Sequence, residues 1–253
     1  MDPLDARKGR VVWRKTIGPS ETSPAVADGV VYVGDWRGRI YALNAKTGRE
    51  RWRFQTGGEV KGAITISGGR LYAGSYDHHV YALDARTGRL IWRAGTQFRL
   101  GGSGTFYSTP AAAYSRVYIG STDGKVYSFG AETGKLRWSQ STGGYVYASP
   151  AIWNKRVYVG SYSGKFYALD AATGDVVWEF RAGAPISGSA VVLGKFVYFS
   201  TKPTSGKGTT YALNAGTGRE VWSFPDGKFA AVVAGPGRLY LVGYARVYAM
   251  VPK

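Results

Sequence analysis

The feature that most constrains this chain is a string that recurs at intervals of about 40 residues. It reads YALDARTGRLIW at residues 81–92, and close variants stand at 41–52, 127–138, 167–178 and 211–222. The tryptophans that end these strings, counted from Trp13, are 39, 40, 46, 40 and 44 residues apart. Such a period is typical of paired helices or of four-stranded propeller blades. Here short alternating apolar runs separated by Gly-containing turns fill each period, which predicts strands.

Each period divides into four short strands, named A to D, as the first unit illustrates. Its strands A, B, C and D read as Pro24–Ala27, Val30–Asp35, Arg39–Asn44 and Arg49–Gln55. The turns between them contain Gly, which accepts the positive φ that tight hairpins require. Neighbouring strands are expected to run antiparallel. The turn between strands B and C (the B–C turn) and the segment that leads from strand D to the next strand A (the D–A segment) therefore lie at the same end of a blade.

The chain is predicted to be all-β, a six-bladed β-propeller that forms one domain over residues 1–253. The predicted blades are 24–56, 61–94, 108–140, 147–181, 187–224, and 229–250 together with 9–15. The C-terminal unit is one strand short, and residues 9–15 are expected to supply that strand and close the ring. A closed ring leaves no free sheet edge between blades.

The repeated string A-x-[DN]-x-x-T-G-x-x-x-W, present for example at residues 82–92, resembles the tryptophan-docking motif of the PQQ-like β-propeller repeat family. The resemblance covers essentially the whole chain and implies that each motif tryptophan packs between neighbouring blades. The tryptophans concerned are Trp13, Trp52, Trp92, Trp138, Trp178 and Trp222. The third unit carries Ser128, Phe129 and Gly130 where Ala, Leu and Asp are expected, so looser docking is expected there.

The family resemblance implies two kinds of function. Quinoprotein dehydrogenases of this family, by resemblance, use eight blades, a vicinal disulfide and a Glu/Asn/Asp calcium site beside a catalytic Asp. The chain has no cysteine, six predicted blades and no converging carboxylates in its sequence pattern. It is more similar to the non-catalytic branch of BamB-like scaffold and kinase sensor propellers. We therefore expect a protein- or peptide-binding scaffold or sensor without catalytic residues, metal or cofactor, with PQQ-dependent oxidoreduction as a less favoured alternative.

The net charge leaves a further alternative open. Lys and Arg number 33 against 16 Asp and Glu, which gives +17. A field of this sign attracts polyanions, so a module that binds glycans, nucleic acid or anionic lipid surfaces is one interpretation. The basic residues are spread over most turns, so solubility is the competing interpretation. The regular repeats also suit an excised or engineered propeller without a selected ligand.

Location and assembly are predicted mainly from resemblance. No apolar run approaches the roughly 18–20 residues that span a bilayer, and the opening residues MDPLDARKGR lack the apolar stretch of a signal peptide. The family resemblance implies an extracytoplasmic location, as a secreted, periplasmic or extracellular domain. A monomer is expected.

Partner binding is predicted at the end of the propeller that carries the B–C turns and D–A segments, because loops vary without disturbing the sheets. Two long connections, Ala94–Tyr107 and Ser200–Thr209, lie at this end. The candidate binding residues are Trp36, Arg37, Tyr76, Phe98, Arg99, Phe106, Tyr107, Tyr162, Lys202, Lys207, Tyr244 and Arg246. The alternative is that the aromatic rings cover the turns and pack on neighbouring blades.

The two histidines, His78 and His79, are adjacent to each other and to Asp77. A metal site needs three or four ligands, and no further ligand is evident in the sequence. Solvated turn residues are the favoured interpretation.

Overall fold

The computed structural model describes residues 4–5, 9–97, 104–202, 205–228, 231–235 and 238–251. Over these ranges the chain forms strands and turns without a helix, and every strand pair is antiparallel. The predicted all-β class is confirmed, and six successive sheets give the arrangement of a β-propeller.

The strands are numbered in chain order. Two precede the blades: β1 (Leu4–Asp5) and β2 (Arg10–Val11). The first sheet contains β3 (Ala25–Ala27), β4 (Val30–Gly34), β5 (Arg39–Asn44) and β6 (Glu50–Gln55). The second contains β7 (Thr65–Ser67), β8 (Arg70–Gly74), β9 (His79–Asp84) and β10 (Leu90–Gly95). The third contains β11 (Ala111–Ala113), β12 (Arg116–Gly120), β13 (Lys125–Gly130) and β14 (Leu136–Ser141).

The remaining sheets follow the same order. The fourth contains β15 (Ala151–Trp153), β16 (Arg156–Gly160), β17 (Lys165–Asp170) and β18 (Val176–Arg181). The fifth contains β19 (Val191–Leu193), β20 (Phe196–Ser200), β21 (Gly208–Asn214) and β22 (Glu220–Gly227). The sixth contains β23 (Val233–Gly235), β24 (Arg238–Val242) and β25 (Val247–Met250). The blade boundaries given above stay a prediction.

The first five sheets are meanders in which strands A, B, C and D pair in sequence order. The A strands of consecutive blades contact each other from β3 to β19, so they lie nearest the axis and the D strands form the outer edges. Strands B and C of the first five sheets are buried along most of their length because neighbouring sheets pack face to face, whereas β24 and β25 of the sixth sheet are largely exposed.

Close packing between blades depends on a glycine that ends strand B in four blades. An apolar residue of the following D–A segment lies directly on that glycine. A Cβ atom added at Gly120 would lie 2.3 Å from Cγ1 of Val146, and one added at Gly160 would lie 2.1 Å from Cγ2 of Ile186. Any larger residue would push the blades apart, so the repeated glycine sets the distance between sheets.

The motif tryptophans join each blade to the next. In five places the indole N–H donates a hydrogen bond to the alanine carbonyl of the following motif, at 2.9–3.1 Å. The pairs are Trp13 with Ala45, Trp52 with Ala85, Trp92 with Ala131, Trp138 with Ala171 and Trp178 with Ala215. The ring lies on the glycine of the same following motif: a Cβ at Gly88 would be 2.6 Å from Cδ2 of Trp52. Each contact is therefore both apolar and hydrogen-bonded.

The third unit docks as closely as the others, so the expectation of looser docking there is wrong. Trp92 donates to Ala131 at 3.0 Å, as it would in a regular unit. Ser128 and Phe129 are both buried, and the Phe129 ring packs beside Trp92 at a centroid distance of 6.4 Å. Gly130 lacks a carboxylate, but its backbone carbonyl accepts the hydrogen bond of Thr133 N–H. Backbone geometry therefore keeps the turn without the acidic side chain.

The predicted ring closure by residues 9–15 is not seen among the described residues. Strand β2 pairs with β1, with Leu4 opposite Val11, and β25 pairs with β24 alone in the part described. The Trp222 ring does not lie on Gly9, because a Cβ added at Gly9 would have no atom within 4 Å. A hairpin with a short loop closes at small entropic cost, whereas ring closure joins segments distant in sequence. Closure by this strand stays a prediction.

Candidate functional site

The B–C turns and D–A segments lie together at one end of the propeller, which we call the turn face. In five blades the first residue of the B–C turn donates a backbone hydrogen bond to a carbonyl of the D–A segment, at 2.6–3.0 Å. These pairs are Trp36 with Pro19, Tyr76 with Glu59, Thr122 with Thr105, Tyr162 with Tyr145, and Lys202 with Pro185. The bond involves only main-chain atoms, so the side chains at these positions vary freely while the backbone is held.

Seven side chains contact one another in sequence across the turn face. We call this set, which spans blades 1 to 5, the tyrosine row: Trp36, Lys61, Tyr76, Tyr107, Tyr147, Tyr162 and Lys202. The ring centroids are 6.3 Å apart between Tyr76 and Tyr107, 5.3 Å between Tyr107 and Tyr147, and 5.0 Å between Tyr147 and Tyr162. The row is therefore one continuous strip rather than separate turn residues.

The row is built from two equivalent positions in successive blades. Trp36, Tyr76 and Tyr162 each follow strand B and open the B–C turn. The second position lies in the D–A segment, two residues after the carbonyl that accepts the backbone hydrogen bond. In successive blades it is occupied by Glu21, Lys61, Tyr107, Tyr147 and Ser187. Because the A strands lie nearest the axis, this second position lies on the axis side of the turn face.

The hydroxyl groups of the central tyrosines remain protonated at neutral pH. Burial, followed by the proximity of the Tyr107 and Tyr147 hydroxyls and of Glu21, raises the pKa of Tyr76 to about 12. Burial also raises the pKa of Tyr107 and of Tyr147. Among the residues that the structure describes, none of these three hydroxyls makes a hydrogen bond within the protein. The strip therefore offers hydrogen-bond donors to a ligand.

Lys61 lies at one end of the four consecutive tyrosines of the row, beside Tyr76. Its ammonium group lies 4.9 Å from the ring centroid of Trp36 and 4.5 Å from that of Tyr76. These contacts are in the range of cation–π attraction. No carboxylate of a described residue lies within 4.0 Å of it, whereas Lys15 and Lys165 each pair with a glutamate. The Lys61 charge is held in position without a counter-ion from this part of the chain.

Lys202 lies at the other end of these tyrosines, beside Tyr162. Its ammonium group lies 3.4 Å from the Tyr162 hydroxyl and 6.0 Å from the ring centroid. A cavity of about 250 Å³ borders this end, and its lining includes Tyr162, Lys165 and Arg181. A cation therefore stands at each end of a strip of neutral hydroxyl donors.

The structure brings together five of the predicted binding residues and separates the others. Trp36, Tyr76, Tyr107, Tyr162 and Lys202 belong to the row. Arg37 and Lys207 are exposed but outside it. Tyr244 and Arg246 are exposed in blade 6, where the Lys228 ammonium lies 4.5 Å from the Tyr244 ring centroid. Phe98 and Arg99 lie outside the described residues.

The expectation that Phe106 contacts a partner needs correction. Its side chain is fully buried and packs on Gly74, Tyr127 and Phe129. Phe106 occupies the position that Val60 and Val146 hold in other blades, where an apolar side chain covers the glycine at the end of strand B. It is therefore part of the contact between blades.

Sequence reasoning missed Lys61, Tyr145 and Tyr147. Tyr145 is 53% exposed and lies 5.9 Å from the Tyr147 ring and 6.4 Å from that of Tyr162. The string GGYVYASP at 143–150 carried a signal, because its two tyrosines flank the apolar position of the D–A segment. Aligning the D–A segments with each other would have identified them.

The histidine turn has its own hydrogen bonds. Nδ1 of His78 lies 3.3 Å from the carbonyl oxygen of Gly104, and Nδ1 of His79 lies 2.8 Å from that of Asp77. Burial opposes ionisation of Asp77, but hydrogen bonds from Tyr81, Gly57 and Ser75 outweigh it and lower its pKa. Within the described ranges, no three His, Cys, Asp or Glu side chains are grouped so that they could hold a metal ion.

Comparison with known protein families shows to which family the chain belongs. The family model described as outer membrane protein assembly factor BamB matches residues 3–145, 77–182 and 142–252, which together cover nearly the whole chain. The chain belongs to this family of PQQ-like, BamB-type propellers. The predicted resemblance is thereby confirmed.

Solved structures show the same fold. BamB from Moraxella catarrhalis superposes with a TM-score of 0.79 and 21% identity, over 96% of this chain and 77% of that one. The quinohemoprotein alcohol dehydrogenase of Comamonas testosteroni superposes with a TM-score of 0.77 and 17% identity, over 88% of this chain and 51% of that one. Similarity at this level of identity establishes the fold alone.

Curated relatives match a short part of the chain. The quinohemoprotein alcohol dehydrogenase ADH-IIG of Pseudomonas putida is 38% identical over 77 residues, which is 26% of this chain and 11% of that protein. The chain thus matches about a tenth of the length of that enzyme. No helix in the described ranges is long and apolar enough to cross a membrane.

Proposed function

We propose that this chain is a non-catalytic propeller that binds an extended peptide segment of a partner protein on the tyrosine row. The observation that carries the proposal is the continuity of the row: side chains from five blades contact one another in an unbroken series. Membership of the BamB-type family supports a scaffold role, and likeness to BamB supports an extracytoplasmic location.

The orientation of the rings favours a peptide over stacked bases or sugars. Tyr107 and Tyr147 meet at 87°, and Tyr147 and Tyr162 meet at 69°. In such edge-to-face packing the ring faces are partly covered by neighbouring edges. Binding of single-stranded nucleic acid depends on open aromatic faces on which bases stack. Hydroxyl donors spaced along a strip are better suited to the carbonyl oxygens of an extended polypeptide.

The test is selection from a displayed library of peptides of about ten residues, a length that spans the row in extended form. Enriched peptides should bind the wild-type chain and lose roughly ten-fold or more in affinity for the double variant Trp36→Ala/Tyr162→Ala, because interface aromatics contribute most of the binding free energy.

The matched control is Tyr114→Ala/Trp153→Ala, which likewise removes one tyrosine and one tryptophan, both of them exposed. Tyr114 lies in an A–B turn and Trp153 ends strand A just before one, so both are at the end of the propeller opposite the turn face. Peptides that bind both double variants equally, or a library that yields no enriched peptide, would contradict the proposal.

A further inference from the structure

We infer that the peptide bound by the tyrosine row is acidic, with one carboxylate at Lys61 and another at Lys202. This inference rests on the proposed function and adds the chemistry of the partner. It follows from three features of the row: the positions of its lysine charges, the tyrosine hydroxyls between them, and its length.

The first feature is the fixed charge at Lys61. Its ammonium group lies between the Trp36 and Tyr76 rings at 4.9 and 4.5 Å. Ring contacts on two sides restrict the side chain, so little further rotamer entropy is lost when a ligand binds. Glu21 and Glu59 are near enough to influence Tyr76, but neither forms an ion pair with Lys61 within 4.0 Å in the described part of the chain. A ligand carboxylate would supply that pair.

The second feature is the set of hydroxyl groups between the two lysines. Tyr76, Tyr107 and Tyr147 are half-buried and adjacent, with ring centroids 6.3 Å apart between Tyr76 and Tyr107 and 5.3 Å apart between Tyr107 and Tyr147. None donates to a protein acceptor among the described residues. A row of neutral donors between two cations attracts acceptors and anions and repels basic segments.

The third feature is length. Three steps of 5.0–6.3 Å lead from Tyr76 to Tyr162, and Lys61 and Lys202 flank these rings. An extended chain rises about 3.3 Å per residue, so a peptide that follows the row from Lys61 to Lys202 spans at most roughly eight residues between the two lysines. Side chains of an extended strand alternate between two faces. Acidic residues at an even spacing would therefore both point toward the row.

The experiment uses two fluorescein-labelled peptides of about ten residues, one alternating Glu with Val and one alternating Gln with Val. The Glu peptide should bind the wild-type chain at least about ten-fold more tightly than the Gln peptide, as expected for contacts to a charged group. Lys61→Gln and Lys202→Gln should each reduce its affinity by about ten-fold.

The control is Lys46→Gln, which removes an exposed lysine from a C–D turn on the opposite face. It should leave the affinity for the Glu peptide unchanged. An equal loss in this control would show that net charge alone attracts the peptide, and the inference would be overturned.

Two further outcomes separate the inference from the proposed function. If library peptides require Trp36 and Tyr162 but contain no excess of Asp or Glu, the binding face stands and its acidic preference is wrong. If a heparin oligosaccharide or an oligothymidylate binds more tightly than the Glu peptide with the same dependence on Lys61, the partner is a polyanion of another class and the inference is overturned.

Discussion

At the scale of single residues, the alanine carbonyl of each motif is the point where two blades are joined. The Ala85 carbonyl accepts hydrogen bonds from the Trp52 indole and from the Tyr32 hydroxyl, both of the preceding blade. The same double contact occurs at Ala131, where Trp92 and Tyr72 donate. The tyrosine of strand B is therefore as much a part of docking as the tryptophan.

The glycine that receives each tryptophan provides a test of docking. Gly134 has φ +67° and a Cβ there would lie 2.7 Å from Cδ2 of Trp92, whereas Gly183 has φ +73° and open space around it. Gly183→Ala should cost about 1–2 kcal/mol of unfolding free energy, the cost of a left-handed conformation for alanine. Gly134→Ala should cost at least about 2 kcal/mol more, because it displaces a buried indole.

Urea unfolding of both variants, followed by tryptophan fluorescence, measures this difference. Equal losses of unfolding free energy in Gly134→Ala and Gly183→Ala would mean that the tryptophan contact contributes little to stability. Because Gly134 and Gly183 have similar φ values, the difference between the two variants measures the packing against the tryptophan and not the backbone strain.

At the scale of elements, the outer strands explain part of the positive charge. Strands β6, β14 and β18 each expose arginine, and β14 and β18 also expose Leu or Val, along an edge that lacks a further partner strand in the described part of the chain. Exposed arginines on an edge strand oppose edge-to-edge pairing with another molecule. The net charge of +17 therefore has a structural use apart from ligand binding.

Replacing these edge arginines should promote aggregation without destabilising the fold. The variant Arg51→Val/Arg137→Val/Arg181→Val should aggregate faster on mild heating, because it replaces a charged side chain by an apolar, β-branched one on three outer edges. Its urea midpoint should stay close to that of the wild type, since all three side chains are exposed.

Light scattering during heating measures the difference. The control, Lys46→Val/Arg86→Val/Arg219→Val, removes the same charge from exposed C–D turn positions. If both triple variants aggregate at the same rate, net charge rather than edge protection keeps the chain in solution.

The fold was predictable from the sequence because every blade repeats the residues that docking requires. Gly, Ala and Trp recur at fixed positions, because the tryptophan ring lies directly on the glycine and its indole N–H bonds to the alanine carbonyl. Few other residue types would fit at these positions. The binding strip was predictable only in part, since its residues differ from blade to blade. Trp36 and Tyr76 were found from their turns. Phe106 was misassigned because a loop aromatic that fills the space between blades looks like an exposed one until its neighbours are known.

At the scale of the whole molecule, the contacts within and between the sheets repeat from blade to blade. The side chains that differ between blades and contact one another lie at one end, on the turn face. The opposite end, with its A–B and C–D turns, repeats the same turn chemistry, in which Asp84 and Asp170 accept hydrogen bonds from Thr87 and Thr173. The turn face repeats its backbone bonds and some buried side-chain bonds, such as those from the Thr56 and Thr142 hydroxyls to the carbonyls of Gly38 and Gly124. Its solvent-accessible side chains differ from blade to blade, and it carries five tyrosines on blades 2 to 4. This asymmetry between the two ends is the basis for placing the ligand on the turn face.

The most direct measurement is photo-cross-linking of a selected peptide to benzoylphenylalanine placed on either end of the molecule. Tyr145 lies beside the row and is 53% exposed, and Tyr114 lies at an A–B turn and is 50% exposed. Substitution at Tyr145 should give a covalent adduct with the peptide, which excess unlabelled peptide should suppress, and substitution at Tyr114 should give none. An adduct at Tyr114 as abundant as that at Tyr145 would contradict binding on the tyrosine row.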